Sequence, residues 1–275
     1  SSKLMVTSLV VIFNTNMFSV ILGRKFPASV VGNYTQASKW NNMGWSLINN
    51  MLSGIAQPVL AKTDDEPERQ KRIFRKLLRF TAFISFPAML GLALVSHEFI
   101  VILLGEKWLD SAIILQWLCV MGAFYPLSNL FSYYMVSHGQ SSRFMWCHTA
   151  LGAVQLAAVF VSAPYGMGMM IKVYVGIAVG WFWVWYRLSR SWIGLALYEV
   201  VKDISPYFFI TVALVLSAQV ITEPIASIYI RFTAKVLFVA SLYVLVLWLL
   251  GSAIFRESLD FFESKVKFPF KKHAQ

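Results

Sequence analysis

Lys39, Asn42, Ser46, Asn49, Ser53 and Gln57 follow one another at intervals of three, four, three, four and four residues. That spacing sets them along one face of a helix, with Asn50 beside the row. Trp40, Trp45, Leu47, Met51, Leu52 and Ile55 occupy the other sides. Amides and hydroxyls bond to hydroxyl-rich ligands, and a lysine at the head of the row offsets negative charge. A polar row in a membrane-spanning helix is costly against lipid, so it belongs against neighbouring helices or a water-filled cavity. One reading makes the amides interhelical glue, each hydrogen bond contributing about 0.6 kcal/mol. The other makes them the lining of a transport path. The row covers most of the membrane depth and carries a cation, which is more than gluing requires. Asn14 and Asn16, in the middle of the first apolar block, add to the same wall from a neighbouring helix, although at two residues apart only one of them faces it.

The sign of the interior charge narrows the ligand. All 13 acidic residues fall in loops, block ends or the C-terminal tail, whereas Lys39 and Lys172 fall within apolar blocks. A site for a cation usually wants a carboxylate at depth; these spans offer cations instead, which favours an anionic substrate. Arg24 and Lys25, just beyond the first block, extend the positive lining. Lys172 lies near the end of its block and equally fits a side chain that snorkels to the headgroups.

The elements that must position these residues are membrane helices. Hydrophobic residues make up 58% of the 275-residue chain and charged residues 13%, about half the charge of a soluble domain. Eight blocks are long enough to cross a hydrocarbon core, at about 4–23, 38–61, 80–104, 111–137, 144–163, 166–187, 205–222 and 232–254, since about 20 helical residues span it. The second is the weakest by hydropathy. Continuous apolar runs indicate helices, because open strands leave backbone groups unsatisfied in lipid. The expected class is therefore an all-α integral membrane protein of about eight spans, with a turn at 162–166. Of the 24 Lys and Arg residues, 17 fall on one side of this array and 7 on the other; the positive-inside rule then puts both ends of the chain in the cytoplasm. The net charge of +11 is thus mainly a topology signal, and with no basic soluble module nucleic acid is not an expected partner.

Between the second and third spans, Thr63 and Glu66 read as a capping box. Asp64, Asp65, Glu66 and Glu68 open a helix whose cations Arg72, Arg75, Lys76 and Arg79 are expected against anionic lipid headgroups. Cys119 and Cys147 have no ligand-like spacing, no glycine-rich lysine loop offers a nucleotide site, and the four histidines are scattered. Neither a metal, a cofactor nor an enzymatic activity is expected. The chain opens on Ser1 with no signal-peptide cleavage pattern, from which an upstream portion is expected.

The runs VVGNYTQASKW, AQPVLAK and FPAMLGLALVSHEFIVILLGEKW, with a Gly-Asn-Tyr-x-x-Ala start, a proline ending the helix and a Leu-Gly-Glu-Lys-Trp close, cover residues 30–108. They resemble the Wzx-type polysaccharide flippases of the MOP superfamily, which export lipid-linked oligosaccharides. The resemblance implies fourteen helices in two lobes, of which this chain holds the second lobe (1–190) and two extra helices (191–254), followed by a basic cytoplasmic tail (255–275), the first lobe being its missing partner. It also implies alternating access at the bacterial inner membrane. The sugar and a polyprenyl diphosphate cross through a central cavity while the tail stays in lipid, in a groove shaped by the last two helices, for cell-surface polysaccharides such as O-antigen. Lys39 would offset the diphosphate, and Asn42, Ser46, Asn49, Asn50 and Ser53 would bond to sugar. An outward-moving anion runs downhill by about 2.3 kcal/mol per charge per 100 mV, so ion coupling is not required. A MATE-type drug or cation antiporter shares the superfamily fold and is favoured by acids deep in the other lobe. A membrane glycosyltransferase, ligase or polymerase would need a large outer loop or catalytic carboxylates. An assembly subunit would have little use for the polar row.

Overall fold

The computed structural model describes residues 20–61, 66–251 and 255. Most of the first expected block with Asn14 and Asn16, the Thr63–Asp65 portion of the acidic cap, and the basic tail lie outside the described residues, as does the side chain of Gln57. Residues 20–25 are helical. Eight further helices follow: α1 Ala28–Ala61, α2 Pro67–Leu94, α3 Ser96–Leu104, α4 Leu109–Ser137, α5 Ser141–Ser162, α6 Met167–Ile193, α7 Leu197–Thr222 and α8 Ile228–Leu249. No strand occurs among the described residues.

Six stretches in this set are long and apolar enough to cross a membrane: 67–94, 106–137, 141–165, 167–193, 197–222 and 228–249. The 34-residue α1 is amply long, about 50 Å at 1.5 Å per residue, but it is too polar to count among them, in keeping with the weak hydropathy of that block. It starts ten residues earlier than expected, immediately after Pro27, whose missing N–H costs nothing at a helix start. It also continues to Ala61 through Pro58, so the proline in Ala-Gln-Pro does not end it.

The stretch from 67 to 104 corrects two expectations. Among the described residues the cationic segment is not a helix separate from the third span but the first part of α2 itself, with Pro67 in its first turn. Glu66 is the residue that caps α2 and makes no side-chain capping bond, so it does not occupy the third helical position that the capping box demanded. At the far end the apolar block breaks at Val95, and α3 continues as a short separate helix. The expected turn at 162–166 is present as a single 3₁₀ turn over Ala163–Tyr165. Gly166 follows it at φ 89°, a conformation that L side chains resist.

α4 is the axis of the bundle and packs on α1, α2, α3, α5 and α6. α2 and α4 are the interior helices, 56% buried over their most apolar windows, against 17–22% for α5 to α8. The core follows from this arrangement: Phe74, Phe86, Leu115, Leu127 and Phe131 are fully enclosed. Phe131 meets Phe74 at 5.0 Å and Phe182 of α6 at 5.6 Å between ring centroids. A buried polar knot ties three helices at one end. Gln70 of α2 donates to the Leu60 carbonyl of α1 (3.2 Å), stands 3.0 Å from His138 and accepts from the Tyr134 hydroxyl of α4 (3.0 Å).

α7 runs alongside α2, and α8 returns against α7, α3 and α2. Ion clusters pin this pair at both ends. At the end where α2 begins, Arg75 donates from Nε and Nη2 to the two oxygens of Asp203 (2.7 and 3.1 Å) and from Nη1 to Glu199 (3.0 Å), which also pairs with Lys71 (2.9 Å). At the other end, Lys235 of α8 donates to Glu98 of α3 (2.8 Å) and to the Leu94 carbonyl (3.3 Å), with Arg231 Nε 3.0 Å from the same carboxylate oxygen. The α2 cations therefore do more than face headgroups. The acids at the block ends are not all at the surface either: Asp203 is 4% exposed and Glu98 1%. Each is answered by a base, as a buried carboxylate must be, so neither adds free negative charge to the interior.

Candidate functional site

The polar row on α1 stands where α1 crosses α4, and the structure divides it. Lys39, Asn42 and Asn50 are exposed on one face together with Met43, Leu47 and Met51. The Lys39 ammonium lies 5.9 Å from the neighbouring Trp40 ring. Asn49 turns inward, where its Oδ1 accepts from Asn129 Nδ2 (2.8 Å) and from the Tyr133 hydroxyl (3.0 Å), both on α4. The Ser46 and Ser53 hydroxyls, half-buried, donate back to the carbonyls of Met43 and Asn50 (3.1 Å each). Asn42 Oδ1 accepts from Trp45 Nε1 (3.0 Å).

Behind this row α1, α4, α5 and α6 enclose a cavity of about 300 Å³. Among the described residues its aromatic walls are Trp45, Tyr125, Tyr174, Trp181 and Trp185, and its polar edge is Asn42, Ser128, Asn129, His148 and Gln155. Gly152, which contributes no side chain, forms part of the α5 wall. Neither Ser128 nor Gln155 has a side-chain hydrogen-bond partner among the described residues. No Asp, Glu, Lys or Arg is in the lining. Such a chamber can stack planar or C–H-rich faces on its rings and direct amide and hydroxyl groups at their edges.

The other expected residues are placed elsewhere. Arg24 and Lys25 are exposed beyond the chamber, Lys25 lying 5.8 Å from the Phe160 ring of α5. Lys172 is also exposed, 5.3 Å from the Trp117 ring, at the edge of a separate groove that contains Asn33 and Asp110. Of the row, Asn42 lines the chamber, and Asn49 reaches it through Asn129.

Asn129, Ser128, Gln155 and His148 escape a reading made from one helix. Their signal was a polar residue inside an otherwise apolar span, at 128, 129 and 155, which is costly unless it faces a partner or a cavity. Asn41 lies between Lys39 and Asn42, fully buried, with neither side-chain atom hydrogen-bonded among the described residues. It packs against Gly122 of α4, where a Cβ would overlap both the Asn41 amide and the Met89 methyl. α1 and α4 therefore approach closely just beside the chamber.

Asn49→Leu removes the acceptor shared by Asn129 and Tyr133. Two donors left unmatched in a half-buried contact cost about 1–3 kcal/mol, and thermal unfolding in detergent is expected to fall accordingly. Asn49→Gln, which keeps an amide acceptor and adds no charge, is the control that should lose less.

The profile of a family described as polysaccharide biosynthesis protein matches residues 1–113. The lipopolysaccharide biosynthesis protein WzxC of Escherichia coli (strain K12) is 34% identical over 122 residues, 44% of this chain and 25% of that protein. The teichuronic acid biosynthesis protein TuaB of Bacillus subtilis (strain 168) is 27% identical over 198 residues, 70% of this chain and 39% of its own length. The fold is that of the lipid II flippase MurJ in its inward closed conformation, with a TM-score of 0.74 at 16% identity, over 92% of this chain and 53% of that one. The sequence similarity is thus to polysaccharide biosynthesis proteins, strongest over the first part of the chain. In this chain the α1 row and the chamber behind it belong to an all-α, multi-pass membrane fold. The chain spans between a quarter and two fifths of the length of these curated relatives.

Proposed function

We propose that this chain is part of a Wzx-type flippase that carries an anionic lipid-linked oligosaccharide from the inner to the outer leaflet of the bacterial cytoplasmic membrane, for surface polysaccharide export. The observation that carries the reading is an amide-edged, aromatic-walled chamber with no Asp, Glu, Lys or Arg in its lining, beside a face of α1 that sets Lys39, Asn42 and Asn50 among Met43, Leu47 and Met51. An amphiphile of sugar and phosphate needs both kinds of surface. The polysaccharide-related names of the sequence relatives and a lipid II flippase as structural neighbour agree with it.

On this reading Lys39 offsets the charge of a lipid diphosphate, with Arg24 and Lys25 extending the positive path. Asn42, Ser46, Asn49, Asn50 and Ser53 serve the sugar, joined by Asn14 from the preceding segment. The α1 face that carries Lys39 and Asn50 then looks onto a second lobe, and the two rock around the cargo. α7 and α8 form the additional pair beside the lobe and shape a path for the polyprenyl tail. The positive-inside count puts the Arg75 end of the bundle, and both chain ends, in the cytoplasm.

Complementation of a flippase-deficient strain tests the reading. Lys39→Ala should reduce export of lipid-linked sugar severalfold while the protein still inserts and folds, because a cation facing a diphosphate in a narrow cavity is poorly replaced by water. Undiminished export by Lys39→Ala at equal membrane abundance removes the lysine from the path. Failure of the parent chain, within its full-length protein, to support export of any lipid-linked saccharide overturns the function itself.

A further inference from the structure

We infer that the chamber between α1, α4, α5 and α6 is a subsite for one uncharged sugar ring, and that it turns away rings bearing a carboxylate. The inference rests on the carrier reading and names a part of its cargo.

The walls and the edge of the chamber match the two chemistries of a pyranose. A sugar ring presents C–H faces that lie flat on aromatic rings and a rim of hydroxyls that both donate and accept. Trp45 and Tyr125 are already set as a pair, their centroids 4.2 Å apart at 48°, leaving an aromatic corner on the α1–α4 side. Trp181 faces from α6, its indole N–H held by Cys147 Sγ at 3.3 Å, which fixes the plane of the ring. Gln155 and Ser128, from opposite helices, each retain donor and acceptor capacity without a partner among the described residues. The volume, about 300 Å³, is at the small end of ligand pockets and suits one ring rather than a chain of them.

The absence of charge from the described lining is the selective feature. A uronate or sialate carboxylate placed there would give up its water and find no lysine or arginine to answer it, the His148 imidazole being the one lining group that could do so, and only by taking up a proton. A neutral hexose, 6-deoxyhexose or N-acetylhexosamine loses only hydroxyl hydration, which Gln155, Ser128, Asn129 and Asn42 restore. The diphosphate is excluded from the chamber on the same ground, and this separates the neutral subsite from the cationic face of α1. The lipid tail has no use for the amides. A lipophilic cation is the one rival that aromatic walls accommodate.

The test is a titration of the purified full chain in detergent, read by tryptophan fluorescence. The probes are methyl glycosides of neutral hexoses, 6-deoxyhexoses and N-acetylhexosamines, with methyl glucuronide and tetraphenylphosphonium as comparators. At least one neutral glycoside is expected to bind saturably, and glucuronide about tenfold or more weaker. Gln155→Leu should weaken the neutral probe about three- to tenfold, the worth of one uncharged hydrogen bond. Trp181→Phe should reduce the fluorescence change, while both variants keep the elution volume and helical content of the parent. Gln155→Lys, which supplies a cation, should raise glucuronide binding relative to the neutral probe. Binding of no neutral glycoside, equal binding of glucuronide by the parent, or binding of tetraphenylphosphonium alone overturns the subsite. Export in the complementation assay with a negative titration sinks this inference and leaves the carrier function standing; a positive titration without export does the reverse.

Discussion

Glu98→Ala destabilises the protein by about 3–5 kcal/mol, the usual cost of removing one partner from a buried ion pair. Glu98 is 1% exposed and Lys235 3%, so the lysine has little solvent of its own once its carboxylate is gone, the cavity that both residues line being its one route to water. Its remaining partner is the Leu94 carbonyl at 3.3 Å, a single neutral acceptor for an ammonium with three donors. Arg231, whose side chain is 26% exposed, reaches solvent and suffers less. The effect should appear as a lower midpoint in detergent-based thermal or SDS unfolding, and in the release of α8 from α3. Replacing the pair together, with Glu98→Gln and Lys235→Met, should recover most of the loss, because no charge of the pair is then left buried without its partner. A Glu98→Ala protein as stable as its parent would mean that water reaches the lysine.

Asp203→Ala is the counterpart at the opposite end, with an expected loss of about 2–3 kcal/mol. Asp203 is 4% exposed and receives two bonds from Arg75, a forked geometry that single-point pairs do not match. The loss is smaller than at Glu98 for two reasons. Arg75 keeps Glu199 at 3.0 Å, and its side chain is 27% exposed, so solvent screens part of what is lost. Asp203→Asn retains an acceptor for one of the two donors and should fall between alanine and the parent. Equal stability of all three in denaturant titration would make the cluster decorative. The two substitutions lie at opposite ends of α7 and α8 and share no partner, so their effects should add.

These two clusters mark the boundary between what one helix reveals and what a bundle reveals. Glu98, Asp203, Arg231 and Lys235 are visible in the sequence as charges near the ends of apolar blocks, a position that ordinarily means headgroups or water. Their pairing joins residues 137 apart for Glu98 and Lys235 and 128 apart for Arg75 and Asp203. No local periodicity encodes such distances. The cations expected on a helix of their own belong instead to the first part of α2, where Arg75 finds its partners on α7. Pro58 shows the opposite limit, since a residue that breaks isolated helices was overridden by the run of α1 around it.

The composition and apolar run lengths by themselves determined that this protein is a set of membrane helices, which of them is the most polar, and that α1 carries its polar groups in a row. Those properties follow from the length of chain needed to cross a bilayer and from the 3.6-residue turn, both of which are local. The packing of α4 against its neighbours decided the rest. It split that row between an open cationic face and an inward bond to Asn129, and it gathered Trp45, Tyr125, Gln155 and Trp181 from four helices around one uncharged space. A cavity is the volume that packed helices fail to fill, and that volume depends on where side chains distant in the chain come to meet.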